Sequence, residues 1–562
     1  MIPIHLTHFA AVLLGLFVLA SARGEVVFQP DDTVLCYGNS MVERLSEHGE
    51  LEALVQLAHP DKKLRFRSFA WTGDEVGYRL RPEGYEAYMK ALLKEWPARV
   101  VIAGFGMNEA FGGAAGLADF RKQLGGYLDQ LARLHPGAKL VLLAPTAVEP
   151  GGQGLDDVAR NRDVAAYAQA VGEAAGRRGA LFVDLFAASR QAYAKSKSRL
   201  TSNGLHLNDA GNHEMAQVIA RALLGDAALA KADAARVAEV AKAVVRKAYY
   251  VAEIVRPKNA DLYYGIRKRQ SEYNAEIPRY HQMIAATEAV VHELAATPGR
   301  KFADLPLPWL PPPPPIKGDD DGKNTGIIKP PAEAQAEFKV ADGYTVNLFA
   351  SEVEFPDLKN PVQIAFDARG LLWAVTMPSF PHTVPGLPPQ DKIIVLEDTD
   401  HDGKADKCTA FAEGFDALDG VAFTEEGVII SEQPKLWLMT DTNGDGKADT
   451  KRELFRGIDV TDSHHGGMIA TDPIGHVLFC DGVFHRSTLE TPFGVVRGID
   501  ATTYRLNPRT GRVETEWQSN TPNPWKITYD RTGNIFQMYG DGLPLDTLAL
   551  TWTPLGVYHP FG

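Results

Sequence analysis

The sequence predicts a multidomain protein: a three-layer α/β sandwich with a helical extension, then an all-β, incomplete propeller. Three observations carry this expectation. Between residues 30 and 220, short apolar runs alternate with amphipathic stretches, the pattern of buried parallel strands covered by helices. Proline-rich residues Pro306–Pro315 lead into the charged, glycine-containing stretch Lys317–Lys323, a stiff and solvated linker. Beyond it, one strand–turn–strand phrase recurs four times, at Gln363, Gly420, Met468 and Lys526, and repetition at this spacing marks propeller blades. At 562 residues the chain is also too long for one ordinary core.

Taken in order, the elements divide as follows. Phe9 to Ala20 is uninterruptedly apolar and Ala20-Ser21-Ala22 is a small-x-small cleavage site, so residues 1–22 read as a signal peptide and the chain as exported, periplasmic or extracellular. That run is too short to cross a bilayer as a helix, and no later segment is apolar for long enough. Residues 25–225 hold apolar runs at Thr33–Tyr37, Leu64–Phe69, Arg99–Gly104, Lys139–Ala144 and Ala180–Asp184 as strands. Residues 226–300, rich in Ala, Glu, Lys and Arg, read as two or three helices packed on that domain. Residues 301–335 are the linker and 336–562 the partial propeller, with about four blades visible.

The net charge of −13 argues against nucleic acid or an anionic membrane as partner, because phosphate binding needs a basic surface. Three cysteines, Cys36, Cys408 and Cys480, give neither a disulfide framework nor metal-ligand spacing. Cys36 reads as a core residue, and a Cys408–Cys480 bridge is left open.

The chemistry concentrates in the first domain. Thr33–Tyr37 runs into Gly38-Asn39-Ser40, where a helix begins, which puts Ser40 at a strand-to-helix turn whose N–H groups stabilise developing negative charge. Trp71-Thr72-Gly73-Asp74 follows the second strand and Gly106-Met107-Asn108 the third; they offer a glycine N–H and an asparagine amide as oxyanion donors. Asn203-Gly204-Leu205-His206 puts a histidine in a loop before a helix.

This ordered set resembles the SGNH/GDSL hydrolase superfamily, over roughly residues 30–220. The resemblance implies a flavodoxin-like sandwich and a serine esterase, with Ser40 as nucleophile, His206 as base, and Gly73 and Asn108 in the oxyanion hole. Two departures stand out. Asn39 replaces the family's usual Asp before the nucleophile, and Asn203 stands where the triad carboxylate belongs. An Asp-to-Asn exchange at that triad position costs about four orders of magnitude in a serine protease. Either a Ser40–His206 dyad suffices, or another acid such as Asp209 reaches the ring, or the domain is a weak enzyme. His213, nearby, reads as a helix-face residue.

In the second half, Asp398-Thr-Asp400-His-Asp402-Gly403-Lys-Ala-Asp406 and Asp441-Thr-Asn443-Gly-Asp445-Gly446-Lys-Ala-Asp449 match each other. Oxygen ligands at positions 1, 3 and 5, glycine at 6 and an acid at 9 begin an EF-hand-type loop, but the bidentate Glu at 12 is missing. They read as structural calcium turns or as plain acidic turns. Together with Ser463-His464-His465-Gly466-Gly467 and Asn523-Pro524-Trp525, the repeats resemble sugar-dehydrogenase-like propellers of exported planctomycete and verrucomicrobial proteins. That resemblance makes His464 or His465 a candidate base for alcohol oxidation. Without a CxxCH motif, no c-type haem is expected.

The functional expectation is an exported serine esterase acting on an acylated small molecule or polysaccharide, with an attached calcium-bearing propeller. The hydrolase itself needs no cofactor. The alternative is a sugar- or alcohol-dehydrogenase-like propeller protein whose SGNH domain is a degenerate glycan-binding module.

Overall fold

The structure is a computed structural model and describes residues 26–152, 154–229, 233–264, 276–305, 329–380, 382–462, 464, 469–518, 524–530, 532, 535–539 and 546–547. The expected signal peptide, the proline-rich heart of the linker, His465 and Asn523 lie outside these residues.

Five parallel strands form the first sheet: β1 (Thr33–Gly38), β2 (Arg65–Ser68), β3 (Val100–Gly104), β4 (Lys139–Leu143) and β5 (Leu181–Val183), in the order β2-β1-β3-β4-β5. Apolar residues fill β1, β3 and β4 almost without interruption because both sheet faces are covered. The helices are α1 (Ser40–His48), α2 (Glu50–Ala58), α3 (Tyr85–Glu95), α4 (Gly113–Leu134), α5 (Asp157–Arg178), α6 (Leu185–Lys195) and α7 (Asp209–Leu224). Because the chain turns one way from β1 to β2 and the other way to β3, the carboxyl end of β1 is a topological switch point, where α/β sheets place their sites.

The helical extension is not a separate body. After the short α8 (Asp226–Leu229) come α9 (Ala234–Val255), α10 (Ala260–Tyr263) and α11 (Glu276–Ala296). Val240, Val244, Ile254, Tyr280, Ile284 and Val291 share one continuous core with the sheet. A buried ion cluster spans the junction: Arg67 of β2 holds Glu288 of α11 at 2.7 and 3.0 Å, and Lys247 of α9 pairs with Glu52 of α2.

After the short α12 (Pro331–Ala336) the chain is all β. The first sheet of this region is β6 (Pro361–Phe366), β7 (Leu372–Thr376), β8 (Asp391–Glu397) and β9 (Lys407–Phe415). The next is β10 (Leu418–Thr424), β11 (Gly427–Glu432), β12 (Lys435–Thr440) and β13 (Thr450–Arg456). The third joins β14 (Ile469–Thr471) and β15 (Val477–Cys480) to β18 (Thr502–Asn507) and β19 (Arg512–Gln518). The hairpin β16 (Thr488–Thr491) and β17 (Gly494–Arg497) leaves this sheet between β15 and β18. Strands β20 (Pro524–Tyr529), β21 (Ile535–Tyr539) and β22 (Asp546–Thr547) form the last.

The four recurring phrases of the sequence become the opening hairpins of these four sheets, each antiparallel. Separate apolar clusters fill the spaces between successive sheets. No closed barrel or propeller is formed among the described residues. Cys408, on β9, and Cys480, on β15, are not joined by a disulfide, so the bridge left open by the sequence is not made. Cys36 is a core residue, its thiol pushed up to about 12 by burial. No helix among the described residues is long and apolar enough to cross a membrane.

The ion cluster yields two expectations. Lys247→Met leaves Glu52 and Glu288 without their ammonium and is expected to cost about 3–5 kcal/mol in urea unfolding. Burial pushes the Glu288 carboxyl up, but Lys247 and Arg67 outweigh it and hold it at about 2, against an ordinary 4.5. A depressed carboxyl contributes its stability above pH 4.5 and loses it as the pH falls toward 2. Glu288→Gln should therefore flatten the acid limb of the stability–pH curve, and an unchanged limb would contradict this assignment.

Candidate active site

Ser40 begins α1, directly after the buried strand β1. The Asn39 side chain caps the helix, accepting from the Met41 N–H at 3.2 Å. An Asn does this as well as an Asp, so the first departure from the family pattern leaves the turn intact.

The second oxyanion candidate is fixed from below. Glu43 accepts from the Thr72 N–H at 2.8 Å and the Thr72 hydroxyl at 2.6 Å, and Arg256 holds the same carboxylate at 2.9 Å. The following residue, Gly73, thereby aims its N–H at the Ser40 turn. Its φ of +80° is strained for other residues, and a Cβ there would meet Thr488 Cγ2 at 1.9 Å.

The histidine loop is tied down by Glu149, which accepts from the N–H groups of Leu200 at 2.9 Å and Thr201 at 3.1 Å and from the Thr201 hydroxyl at 2.5 Å. Asn203 Oδ1 then accepts from the backbone N–H of His206 at 3.0 Å and of Leu205 at 3.2 Å. These two bonds fix the amide orientation, leaving Nδ2 to face His206 Nδ1 at 2.9 Å. A neutral imidazole that accepts at Nδ1 carries its proton on Nε2. An Asp would impose the opposite tautomer. Asp209, the alternative acid, is exposed in the first turn of α7 and does not take that position, because Nδ1 already faces Asn203. His213 is a surface residue paired with Glu50 at 2.8 Å.

Ser40, Gly73, Asn108 and His206 do converge, and what they converge on is a carboxylate from the far half of the chain. Glu490, on β16, places Oε1 2.8 Å from the Gly73 N–H, 2.7 Å from Asn108 Nδ2 and 3.3 Å from the Ser40 N–H. Its Oε2 accepts from the Ser40 hydroxyl and lies 3.3 Å from His206 Nε2. Five donors on one buried carboxylate are what its desolvation requires. Burial alone would push this carboxyl up, but the bonds from His206, Ser40 and Asn108 hold it down to about 2. Burial also lowers the His206 pKa, against the pull of Glu490, so the ring is neutral and donates through Nε2. The centre is closed: Ser40 and Glu490 are both 0% exposed. No local pattern around Leu489-Glu490-Thr491 signals this role, because the contact joins residues 450 positions apart.

Beside the centre, between α1, the start of α7 and strands β12 and β13, lies a cleft of about 640 Å³. Arg44, Arg199, Lys435, Lys451, Arg452 and Trp437 are among its lining residues.

The acidic loops of the β half join the third and fourth strands of the first two sheets. They fold alike: Asp398 accepts from the Gly403 N–H at 2.9 Å and Asp441 from the Gly446 N–H at 2.8 Å, while Asp406 and Asp449 each accept from a Thr N–H at 2.7 Å. Asp402 and Asp445 accept from the Lys404 and Lys447 N–H groups, and Asn443 Oδ1 from the Asp445 N–H. Carboxylate oxygens of Asp398, Asp400 and Asp406 lie within 4.8 Å of one another. His464 is half-buried, with Nδ1 2.5 Å from Asp462 Oδ1 and its ring edge-on to Phe484.

Comparison with known families gives two matches. Residues 36–213 match the GDSL-like lipase/acylhydrolase family, and residues 330–544 match a domain of unknown function (DUF7133). Comparison with curated proteins gives no match. Among solved structures, the chain is similar to LAE5, an α/β hydrolase enzyme from the metagenome of Lake Arreo (18% identity, 35% of this chain, 98% of that chain, TM-score 0.29). It is also similar to Axe2, an acetylxylan esterase from Geobacillus stearothermophilus (17% identity, 35% and 95% of the two chains, TM-score 0.28). The second family match carries no sugar-dehydrogenase assignment, whereas the first supports a GDSL-like lipase/acylhydrolase domain over residues 36–213.

Proposed function

We propose that the α/β domain is a serine ester hydrolase with Ser40 as nucleophile. The observation that carries the reading is the convergence of the Ser40 and Gly73 N–H groups and the Asn108 amide on a single oxygen. Three donors on one oxygen form an oxyanion hole. In the reaction, Ser40 Oγ attacks the ester carbonyl carbon and its proton passes to His206 Nε2. The oxyanion rests on the three donors until the alcohol departs with that proton. Water then repeats the sequence on the acyl-enzyme, releasing a carboxylate.

The proton-accepting step requires His206 Nε2 to be bare, whereas Asn203 favours a proton there. The hydrolase is therefore slow, and the remedy is a single atom: the Asn203 amide nitrogen. The substrate class is an acylated small molecule or polysaccharide, and the protein is exported; these parts of the proposal rest on the family resemblance and on the sequence of residues 9–22. The β half is read as part of a propeller whose acidic turns hold structural calcium, since three Asp side chains gather in the first of them.

A second reading is favoured by the same Asn203 contact: a retired hydrolase whose centre serves only to hold a carboxylate. The two separate experimentally.

Three outcomes are expected. In a Glu490→Ala background, Ser40→Ala abolishes hydrolysis of p-nitrophenyl acetate. In that background Asn203→Asp raises kcat by about 10²- to 10⁴-fold, because the carboxylate restores the Nδ1–H tautomer; no gain would favour the retired-site reading. Calcium at about 100 times its Kd is expected to stabilise the folded chain by about 2.7 kcal/mol, measured as a rise in Tm. The combined Asp398→Asn and Asp441→Asn change should remove that rise, and a calcium-independent Tm in the unaltered chain would refute the ion sites.

A further inference from the structure

We propose that the β16–β17 hairpin is a built-in inhibitor of the hydrolase centre, with Glu490 standing in for the carboxylate product. The inference rests on the ester-hydrolase reading above and adds to it the regulation of the same site.

The mimicry is atomic. When an ester is hydrolysed, the acid product leaves one oxygen in the oxyanion hole and the other between the serine hydroxyl and the histidine. Glu490 Oε1 takes the first position, bonded to Gly73, Asn108 and Ser40, and Oε2 takes the second, between Ser40 Oγ and His206 Nε2. Its Cδ stands at the acyl carbon, and its Cγ and Cβ trace the start of an acyl chain. An ester carbonyl and Glu490 cannot occupy the hole together. Glu490 is therefore no base for Ser40 in this arrangement; it excludes the substrate that a base would serve.

Topology fits a removable element. Strands β15 and β18 pair directly, so the sheet is continuous without the hairpin that leaves between them. The Gly498 N–H donates to the Ser487 carbonyl at 3.1 Å and closes the hairpin at its base. The union of the two halves has other fastenings: Arg456 with Glu47 at 2.9 Å, Lys258 with Asp416 at 2.9 Å, and Arg44 with Glu453. Beyond the five bonds to Glu490, the hairpin is tied from the Thr488 N–H to the Gly457 carbonyl at 2.9 Å and from Arg497 to Glu75 at 2.5 Å. Close approach is built in on the receiving side as well. A Cβ at Gly73 would strike Thr488 Cγ2 at 1.9 Å, and one at Gly457 would strike the Thr488 carbonyl at 2.0 Å.

The test uses the full chain and two independent readouts. The first is access, read without catalysis: Ser40→Cys is treated with methyl methanethiosulfonate, and modification at position 40 is followed by peptide mass. It is compared in the native hairpin, with Glu490→Ala, and with residues 488–497 replaced by Gly-Gly between Ser487 and Gly498. The second is Ser40-dependent hydrolysis of p-nitrophenyl acetate in the same three backgrounds, with circular dichroism confirming the fold. Modification is expected to be at least about 100-fold faster without the Glu490 side chain or the hairpin, since a closed site reacts only through its open fraction. Hydrolysis should rise in parallel. Equal modification in all three backgrounds would overturn the inhibitor, whatever the hydrolysis shows. Rapid modification without any Ser40-dependent hydrolysis would uphold the closure and overturn the hydrolase reading on which its regulatory meaning depends. The point variant keeps the question decidable if the hairpin replacement does not fold.

Discussion

The structure is organised around one buried carboxylate. Glu490 carries its charge into a fully buried site, and an unpartnered anion there would be untenable. It is satisfied by five donors that arise from four separate segments of the first domain. Those segments are fixed in turn by other buried acids: Glu43 beneath the Gly73 loop and Glu149 beneath the histidine loop. A chain of carboxylates, each held by backbone N–H groups, thus transmits the geometry of the sheet edge to the cluster of Ser40, Gly73, Asn108 and His206. The two halves of the protein meet at its end.

This arrangement gives Asn203 a coherent physical role. In a working triad the carboxylate accepts from Nδ1 and leaves Nε2 bare. Here the amide donates to Nδ1, so Nε2 keeps its proton and donates toward Glu490. The tautomer unsuited to general-base catalysis is the one suited to holding a carboxylate. Asn203 and Glu490 are therefore matched, one residue setting the proton that the other accepts.

Much of the first domain was legible in the sequence. Apolar runs after which Ser40, Gly73 and Asn108 stand became β1, β2 and β3, because a parallel sheet buried on both faces leaves little choice of element. The four repeated phrases of the second half became four opening hairpins because their alternation and turn glycines are local signals. What was not legible is non-local. Helices α9 and α11 are expected to pack on the first domain, but the buried ion cluster of Arg67, Lys247 and Glu288 at that junction is encoded by no periodicity. Glu490 sits in a short hairpin of ordinary composition, and only the folded chain brings it to Ser40. The opposite failure befell Asp209, close to His206 in sequence but turned to solvent at the start of α7.

The Glu490 carboxylate, and not solvent, fills the space between the Ser40 and Gly73 N–H groups and the Asn108 amide. The most direct measurement is a crystal structure of the full chain at a resolution that separates carboxylate from water. Continuous density is expected from the Glu490 side chain to the Gly73 N–H, the Asn108 amide and the Ser40 hydroxyl. Water or a buffer anion in that hole, with Glu490 turned away from Ser40, would contradict it.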